Sequence, residues 1–163
     1  MVYYSFKQSI LTKKKEGIIM IEQDTIKLLR ECDAGIQMGV SAINDVLDYA
    51  KDKSLRESLL ISKTAHNGLD KKLRGRLDSF HDKGKDPPMM IKGMSYIKTN
   101  AKLMADPSDS TVADLITDGC NMGIKSLSKY LNQYKAADED SKNLTKALIG
   151  IEEKLADDMR GYL

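Results

Sequence analysis

Few side chains in this 163-residue sequence are of the types that carry out chemistry. The sequence has two histidines and two cysteines, Cys32 and Cys120, and neither cysteine belongs to a CxxC or CxxH pattern. It contains no GxSxG motif, no cysteine with a histidine close to it in sequence and no glycine-rich phosphate loop. The pattern therefore gives no indication of nucleophilic catalysis, and we expect the cysteines to be small buried side chains in a reducing cytoplasm.

One polar cluster lies in a segment with helical periodicity. Asp114 and Asp118 are one helical turn apart, and Cys120 and Asn121 follow directly. Two interpretations stay open. The acids are early in their helix, where the helix dipole favours negative charge. Alternatively, they form with Cys120 half of a small polar pocket that faces Glu31 or a histidine.

That histidine is His66, which lies one heptad from both Leu59 and Leu73. This spacing predicts a position at the edge of an apolar core. The simpler interpretation is a core histidine hydrogen-bonded to a neighbour such as Asp70 or Asn121. The other is a weak metal ligand or a pH-sensitive group, because imidazole changes its charge near neutral pH.

Composition and charge exclude several classes of protein. Apolar residues make up 41% and charged residues 31%, which is typical of a folded domain. The net charge is +2, but residues 1–19 contribute +3, and the remainder has 22 basic and 23 acidic residues. A body of mixed charge lacks the basic surface of a nucleic-acid-binding protein. No apolar run approaches the ~20 residues that span a bilayer, so we expect no membrane span and a cytoplasmic protein.

Residues 1–19 have three possible interpretations. The codons of Lys15-Glu16-Gly17 can contain a bacterial ribosome-binding sequence at a workable distance from the Met20 codon. Our first hypothesis is therefore that translation starts at Met20 and that residues 1–19 are a mis-annotated leader. The others are an unstructured tail, or a short amphipathic helix on a membrane surface, built from aromatic and aliphatic residues among lysines.

Hydrophobic periodicity predicts four long helices. The first carries an apolar seam with alternating steps of three and four residues, at Leu29, Cys32, Ile36, Gly39, Ile43, Val46 and Ala50. We expect its N-cap at Asp24 or Thr25, and a capping box at Ser54–Glu57 to open the second helix. Glycine in the seam indicates close approach of a neighbouring helix, and Gly119 and Gly123 repeat that signal. The predicted ranges are 24–51, 54–83, 110–135 and 139–163, with a short crossover helix at about 89–104.

The links between these helices predict the architecture. Short breaks after the first and third helices make two antiparallel hairpins, and neither hairpin can bury its apolar stripe alone. The long connection between them lets the third helix run parallel to the second. We therefore predict an all-α four-helix bundle of two hairpins joined by a long crossover.

This plan resembles the ferritin-like superfamily. More narrowly, three segments are similar to a group of bacterial helical-bundle proteins of uncharacterised function: ECDAGIQMG (31–39), GMSYIKTN (93–100) and TVADLITDGCNMG (111–123). The likeness covers about residues 20–163 and fits a start at Met20. It implies the bundle fold and carries no activity with it.

The superfamily resemblance raises the question of a di-iron site, which would use a Glu from each of two helices and an ExxH motif from each of the other two. This sequence departs from the pattern, because Lys63 stands three residues before His66 and Leu155 three residues after Glu152. Helical arithmetic also puts Glu31 and His66 about 10 Å apart along the bundle. It places His66 level with residues 37–38 and Glu152 level with Met122, with no layer of four ligands. The remaining weak metal candidates are Glu31, His66, Asp114, Asp118 and Glu152.

The sequence thus favours a non-catalytic helical protein that acts by forming homo-oligomers or by binding another protein. A group of methionines in the crossover is suited to an adaptable partner surface or to filling a core: Met89, Met90, Met94 and Met104. The alternatives are metal or small-ligand binding in the bundle interior, with iron or manganese as the metal, or an oxidoreductase of the di-iron type with a degenerate site. The interpretation as a non-catalytic helical protein predicts no cofactor.

Overall fold

The computed structural model describes the backbone of residues 2–87 and 101–163, and the side chains from residue 12 onward. Within these ranges the protein is all-helical, as predicted. Its long helices are α1 Val2–Val46, α2 Lys53–Ser79, α3 Asp109–Gln133 and α4 Glu139–Met159. Residues 101–105 are helical, while the rest of the predicted crossover helix lies outside the described residues. A 3-10 turn, Arg160–Tyr162, follows α4.

The predicted N-cap of the first helix is wrong. α1 continues without a break from Val2, and Asp24 and Thr25 make tertiary contacts instead of capping it. The Asp24 carboxylate accepts from the backbone N–H of Ala136 (3.2 Å), and the Thr25 hydroxyl accepts from that of Asp138 (2.9 Å). Nothing between residues 12 and 24 stops a helix, because the stretch lacks proline and is rich in lysine, glutamate and isoleucine.

Other helix ends also differ from the expectation. Asp52 caps α2 by accepting from the N–H groups of Ser54 and Leu55 (2.8 and 2.9 Å), so the predicted capping box at Ser54 does not form. α1 ends at Val46, five residues before the predicted position. The segment that follows is held by a tertiary contact, since the Asp109 carboxylate accepts from the N–H groups of residues 51 and 52. Such bonds replace helical ones at these backbone groups.

Contacts at the two ends of the molecule define the helix directions. At one end, Lys51 bonds to Asp109, so α3 begins where α1 ends. At the other end, Asp138 contacts both Thr25 and Arg76, so α4 begins beside the late part of α2. Hence α2 and α3 run parallel to each other and antiparallel to α1 and α4. α1 and α4 each pack against α2 and α3, and they also contact each other across the interior.

The interior is divided into two apolar clusters. The first lies toward the end where α1 stops, and its larger members are Ile43, Val46, Leu55, Leu59, Val112, Ile116, Leu155 and Met159. The second lies toward the opposite end and contains Leu29, Cys32, Ile36, Leu69, Leu73, Leu77, Leu127 and Leu148. These clusters include most of the predicted seam of the first helix, which is therefore confirmed. Between the clusters lies a buried polar pair from α2 and α4.

No helix in the described part of the chain has a stretch long and apolar enough to cross a membrane.

Candidate functional site

An elongated cavity with a volume of about 590 Å³ lies between α1 and α3. Along α1 its lining runs from Glu31 to Asp45, and along α3 from Ile116 to Tyr130. Each span is 14 residues, or about 21 Å at the helical rise. Most of the remaining lining is apolar or glycine, so the cavity is a long, mainly apolar groove.

A buried pair of ionisable side chains forms part of the floor of this cavity. His66 of α2 is fully buried, and its Nε2 lies 3.0 Å from Oε1 of Glu152 on α4. On the other side of the ring, Nδ1 lies 2.9 Å from the carbonyl oxygen of Ser62, one turn earlier in α2. A carbonyl oxygen can only accept, so Nδ1 carries a proton, and a second proton must lie between Nε2 and Glu152.

The surroundings of His66 favour its charged form. Burial by itself disfavours an imidazolium, but the hydrogen bond to Glu152, the charge of Glu152 and the bond to the Ser62 carbonyl outweigh it. The pKa of His66 is therefore raised, which favours an imidazolium beside Glu152. The predicted partners Asp70 and Asn121 are wrong. The partner is Glu152, which is 86 residues away in sequence.

Two glycines allow the flanking helices to approach this pair. A Cβ atom at Gly39 of α1 would lie 2.6 Å from His66 Nε2 and 3.2 Å from Glu152 Oε1. A Cβ atom at Gly123 of α3 would lie 3.5 Å from Glu152 Cδ, which is an ordinary contact. The predicted close approach is thus confirmed and tight at Gly39. Gly119 differs, because a Cβ atom there would have nothing within 4 Å and a side chain would point into open space.

Cys120 completes the surroundings of the carboxylate. Burial, the negative charge of Glu152 and a hydrogen bond to Glu152 all raise the pKa of its thiol. Reactive cysteines have the opposite environment, in which a nearby cation lowers the pKa and exposes a thiolate. The raised pKa keeps the Cys120 thiol protonated, so Cys120 is not an activated nucleophile. The expectation that both cysteines are buried is confirmed.

A second polar group closes the far end of the cavity. Lys85 Nζ donates to Glu31 Oε1 at 2.6 Å, and Tyr130 lies close enough to feel the charge of Glu31. Burial and the charge of Glu31 raise the pKa of Tyr130. Asp33 holds this corner together, because its carboxylate accepts from the backbone N–H of Lys85 (2.9 Å) and from Arg74 (3.1 Å). The segment after α2 is thereby tied to α1.

The predicted polar cluster on α3 does not come together. Cys120 is buried, but Asp114, Asp118 and Asn121 are exposed, and Asp114 pairs with Lys102. The reason is helical phase: Asp114 and Asp118 each follow by two residues a buried position, at 112 and 116, which turns them about 200° away from the core. The hypothesis of an inward-facing pocket built from these acids is wrong.

The donor set does not fit the dinuclear metal site that the resemblance implies. In residues 12–87 and 101–163, no three or more His, Cys, Asp or Glu side chains are placed to share a metal ion. The candidates are instead engaged elsewhere: Glu31 by Lys85, His66 by Glu152, and Asp114 by Lys102. Nε2 of His66 is engaged by Oε1 of Glu152 at 3.0 Å, so in this arrangement the imidazole faces a carboxylate and not a third potential metal ligand.

Several cavity residues were not identified from the sequence. Lys85 lies in a non-helical segment, where periodicity carries no information. The meeting of His66 with Glu152 depends on the register between the two hairpins. Within each hairpin the arithmetic placed His66 level with residues 37–38 and Glu152 level with Met122, and the structure has them against Gly39 and Gly123. Knowing how the two hairpins align along the bundle axis would have predicted the pair.

Comparison of the chain with protein-family models, with curated proteins and with solved structures gives no match. Interpretation of the cavity therefore depends on its own geometry.

Proposed function

We propose that this protein is a non-catalytic binding protein that holds a small, mainly apolar molecule in the cavity between α1 and α3. The observation that carries this proposal is the cavity itself, with a volume of about 590 Å³ and a buried His66–Glu152 pair in its floor. Ligand pockets typically have about 300–1,000 Å³, mostly apolar walls and a few placed polar groups.

The proposal includes the architecture. The order and directions of α1 to α4, with a long connection between two parallel helices, support a four-helix bundle of the ferritin-like arrangement. The proposal also takes the protein to be cytoplasmic, as expected from the sequence. Such bundles place ligand sites between facing helices. Binding in the interior was one of the alternatives from the sequence, and the described side chains support it better than a metal-dependent activity.

The test is a saturable binding measurement with N-phenyl-1-naphthylamine, a neutral dye that fluoresces in apolar surroundings. We expect the wild-type protein to bind about one dye per chain. Gly119→Leu should abolish this binding, because Gly119 lines the cavity and a side chain there meets open space. The substitution also replaces a mid-helix glycine, which favours the helix by roughly 0.5–1 kcal/mol.

A matched control is Gly68→Leu on α2. Gly68 is also in the middle of a helix with nothing within 4 Å of a Cβ, but it is exposed and does not line the cavity. Dye binding should be unchanged in this variant, and thermal unfolding checks that both variants fold. Absence of binding to wild type, or equal binding by Gly119→Leu, would contradict the proposal.

A second candidate function is self-association through α1, which a different observation favours. The described part of α1 before Asp24 carries exposed apolar side chains, and Ile18, Ile19, Met20 and Ile21 are between 45% and 56% exposed. A second copy of the chain is the occupant that would bury such a helix segment, by packing the same stripe against itself.

Removing residues 1–19 tests this second candidate. If Ile18 and Ile19 contribute to self-association, light scattering should show fewer chains per particle for the truncated protein. The free energy of unfolding extrapolated to infinite dilution should change by less than about 0.5 kcal/mol, because the described side chains of residues 12–19 are almost all exposed. An unchanged number of chains per particle would remove this candidate and leave the cavity proposal untouched.

A further inference from the structure

The charged groups that line the cavity differ in whether they have a partner of opposite charge. Glu31 is neutralised by Lys85, and Glu152 by His66, so each forms a buried or partly buried pair within the protein. Asp45 lines the cavity at the end toward the C-terminus of α1 and is partly buried. No ion pair joins Asp45 to another residue in the described ranges.

The environment of Asp45 disfavours a lone carboxylate. Its pKa is raised by loss of solvent, and no neighbouring cation opposes the effect. The Asp45 carboxylate loses part of its solvation in the cavity, and a partner of opposite charge would compensate for that loss. Among the charged side chains that line the cavity, Asp45 is the one left for a partner supplied from outside.

We propose that the ligand of this cavity is an elongated molecule with an apolar body and one cationic group, such as an alkylamine, and that the cation pairs with Asp45. This inference depends on the proposed binding function and specifies its ligand class. Asp45 lies six residues beyond Gly39 on α1, about 9 Å along the helix. The apolar body would therefore extend from Asp45 along the walls toward the His66–Glu152 pair.

The charges of the cavity support a cation over an anion. With His66 and Lys85 positive and Glu31, Asp45 and Glu152 negative, the lining carries one net negative charge. Both cations already have a carboxylate partner. An anionic headgroup would have to compete with those carboxylates, whereas an amine finds Asp45 without a partner among the described residues.

The experiment compares three probes of equal chain length by isothermal titration calorimetry at pH 7: 1-octylamine, 1-octanol and octanoate. The amine is protonated at this pH, since alkyl amines resemble lysine with a pKa near ~10.4. We expect 1-octylamine to bind about tenfold more tightly than 1-octanol, as for one hydrogen bond to a charged group. Octanoate should bind most weakly.

Two variants locate the preference. Asp45→Asn should abolish the tenfold advantage of 1-octylamine over 1-octanol. Asp48→Asn removes the same charge from an exposed position three residues further on, outside the cavity lining, and should preserve the advantage. Thermal unfolding of both variants confirms that they fold.

The possible failures are distinguishable. Equal binding of amine and alcohol, or tighter binding of octanoate, overturns the cationic ligand and leaves a binding cavity. An amine preference that survives in Asp45→Asn overturns the assignment to Asp45. If none of the three probes binds while the wild-type protein binds N-phenyl-1-naphthylamine, the inference falls and the proposed function stands; if the dye does not bind either, both fall.

Discussion

Replacing Gly39 by alanine is expected to lower the free energy of unfolding by about 2–4 kcal/mol, between the costs of overpacking a core and of breaking a buried ion pair. The added methyl group would lie 2.6 Å from His66 Nε2, well inside van der Waals contact. The ring cannot swing away cheaply, because Ser62 and Glu152 hold its two nitrogens. The gain in helix propensity of about 1 kcal/mol offsets only part of this cost.

Gly123→Ala is the matched control. Its methyl group would approach the same Glu152 side chain, but at 3.5 Å, which is a normal packing distance. The same gain in helix propensity then acts with little opposition, so this variant should be as stable as wild type or more stable by up to about 1 kcal/mol. Urea denaturation of the two variants provides the comparison. Equal stability of Gly39→Ala and Gly123→Ala would show that α1 does not pack tightly on the pair.

The second large effect is expected at Glu152. Glu152→Leu removes the carboxylate and leaves His66 buried without a partner at Nε2, which should cost about 3 kcal/mol. Glu152→Gln should cost about 1 kcal/mol or less, because the amide N–H can donate to Nε2 of a neutral imidazole that still bonds to Ser62. Denaturant unfolding at pH 7 measures both values, and a smaller loss for leucine than for glutamine would contradict the geometry.

The pH dependence of stability separates the effect of the charge of residue 152 from the effect of its side-chain shape. The pKa of His66 is raised in the folded protein. The stability that this group contributes is therefore fully present below its unfolded pKa of about 6.5, and is lost as pH rises through its higher folded pKa. Glu152→Gln removes the cause of the raised pKa. The stability advantage of wild type over Glu152→Gln should therefore grow as pH falls from about 8 to 6.

Other titrating groups contribute equally to wild type and to Glu152→Gln, so the difference between the two proteins isolates the pair. Cys120 is the other ionisable group in contact with Glu152, and its thiol stays protonated throughout this range because its pKa is raised. A wild-type advantage that is constant between pH 6 and 8 would mean that His66 is neutral in the folded protein.

The sequence alone determined the helical class, the apolar seams and the need for small residues where helices cross. Leu29, Cys32 and Ile36 follow steps of three and four, and the burial of that stripe is required whatever the partner helix is. The same periodicity placed His66 at the edge of the apolar core, and the structure buries it completely. These features depend on residues close together in the chain, so local spacing is sufficient to predict them.

Only the tertiary structure decided the ends of helices and the partners of polar groups. Asp24 and Thr25 are good capping residues, yet the turn between α3 and α4 binds both of them and α1 continues past them. The relative position and rotation of the two hairpins bring Glu152 against His66 and leave Asp45 in the cavity. That arrangement is set by contacts between residues more than 80 positions apart, about which helical spacing carries no information.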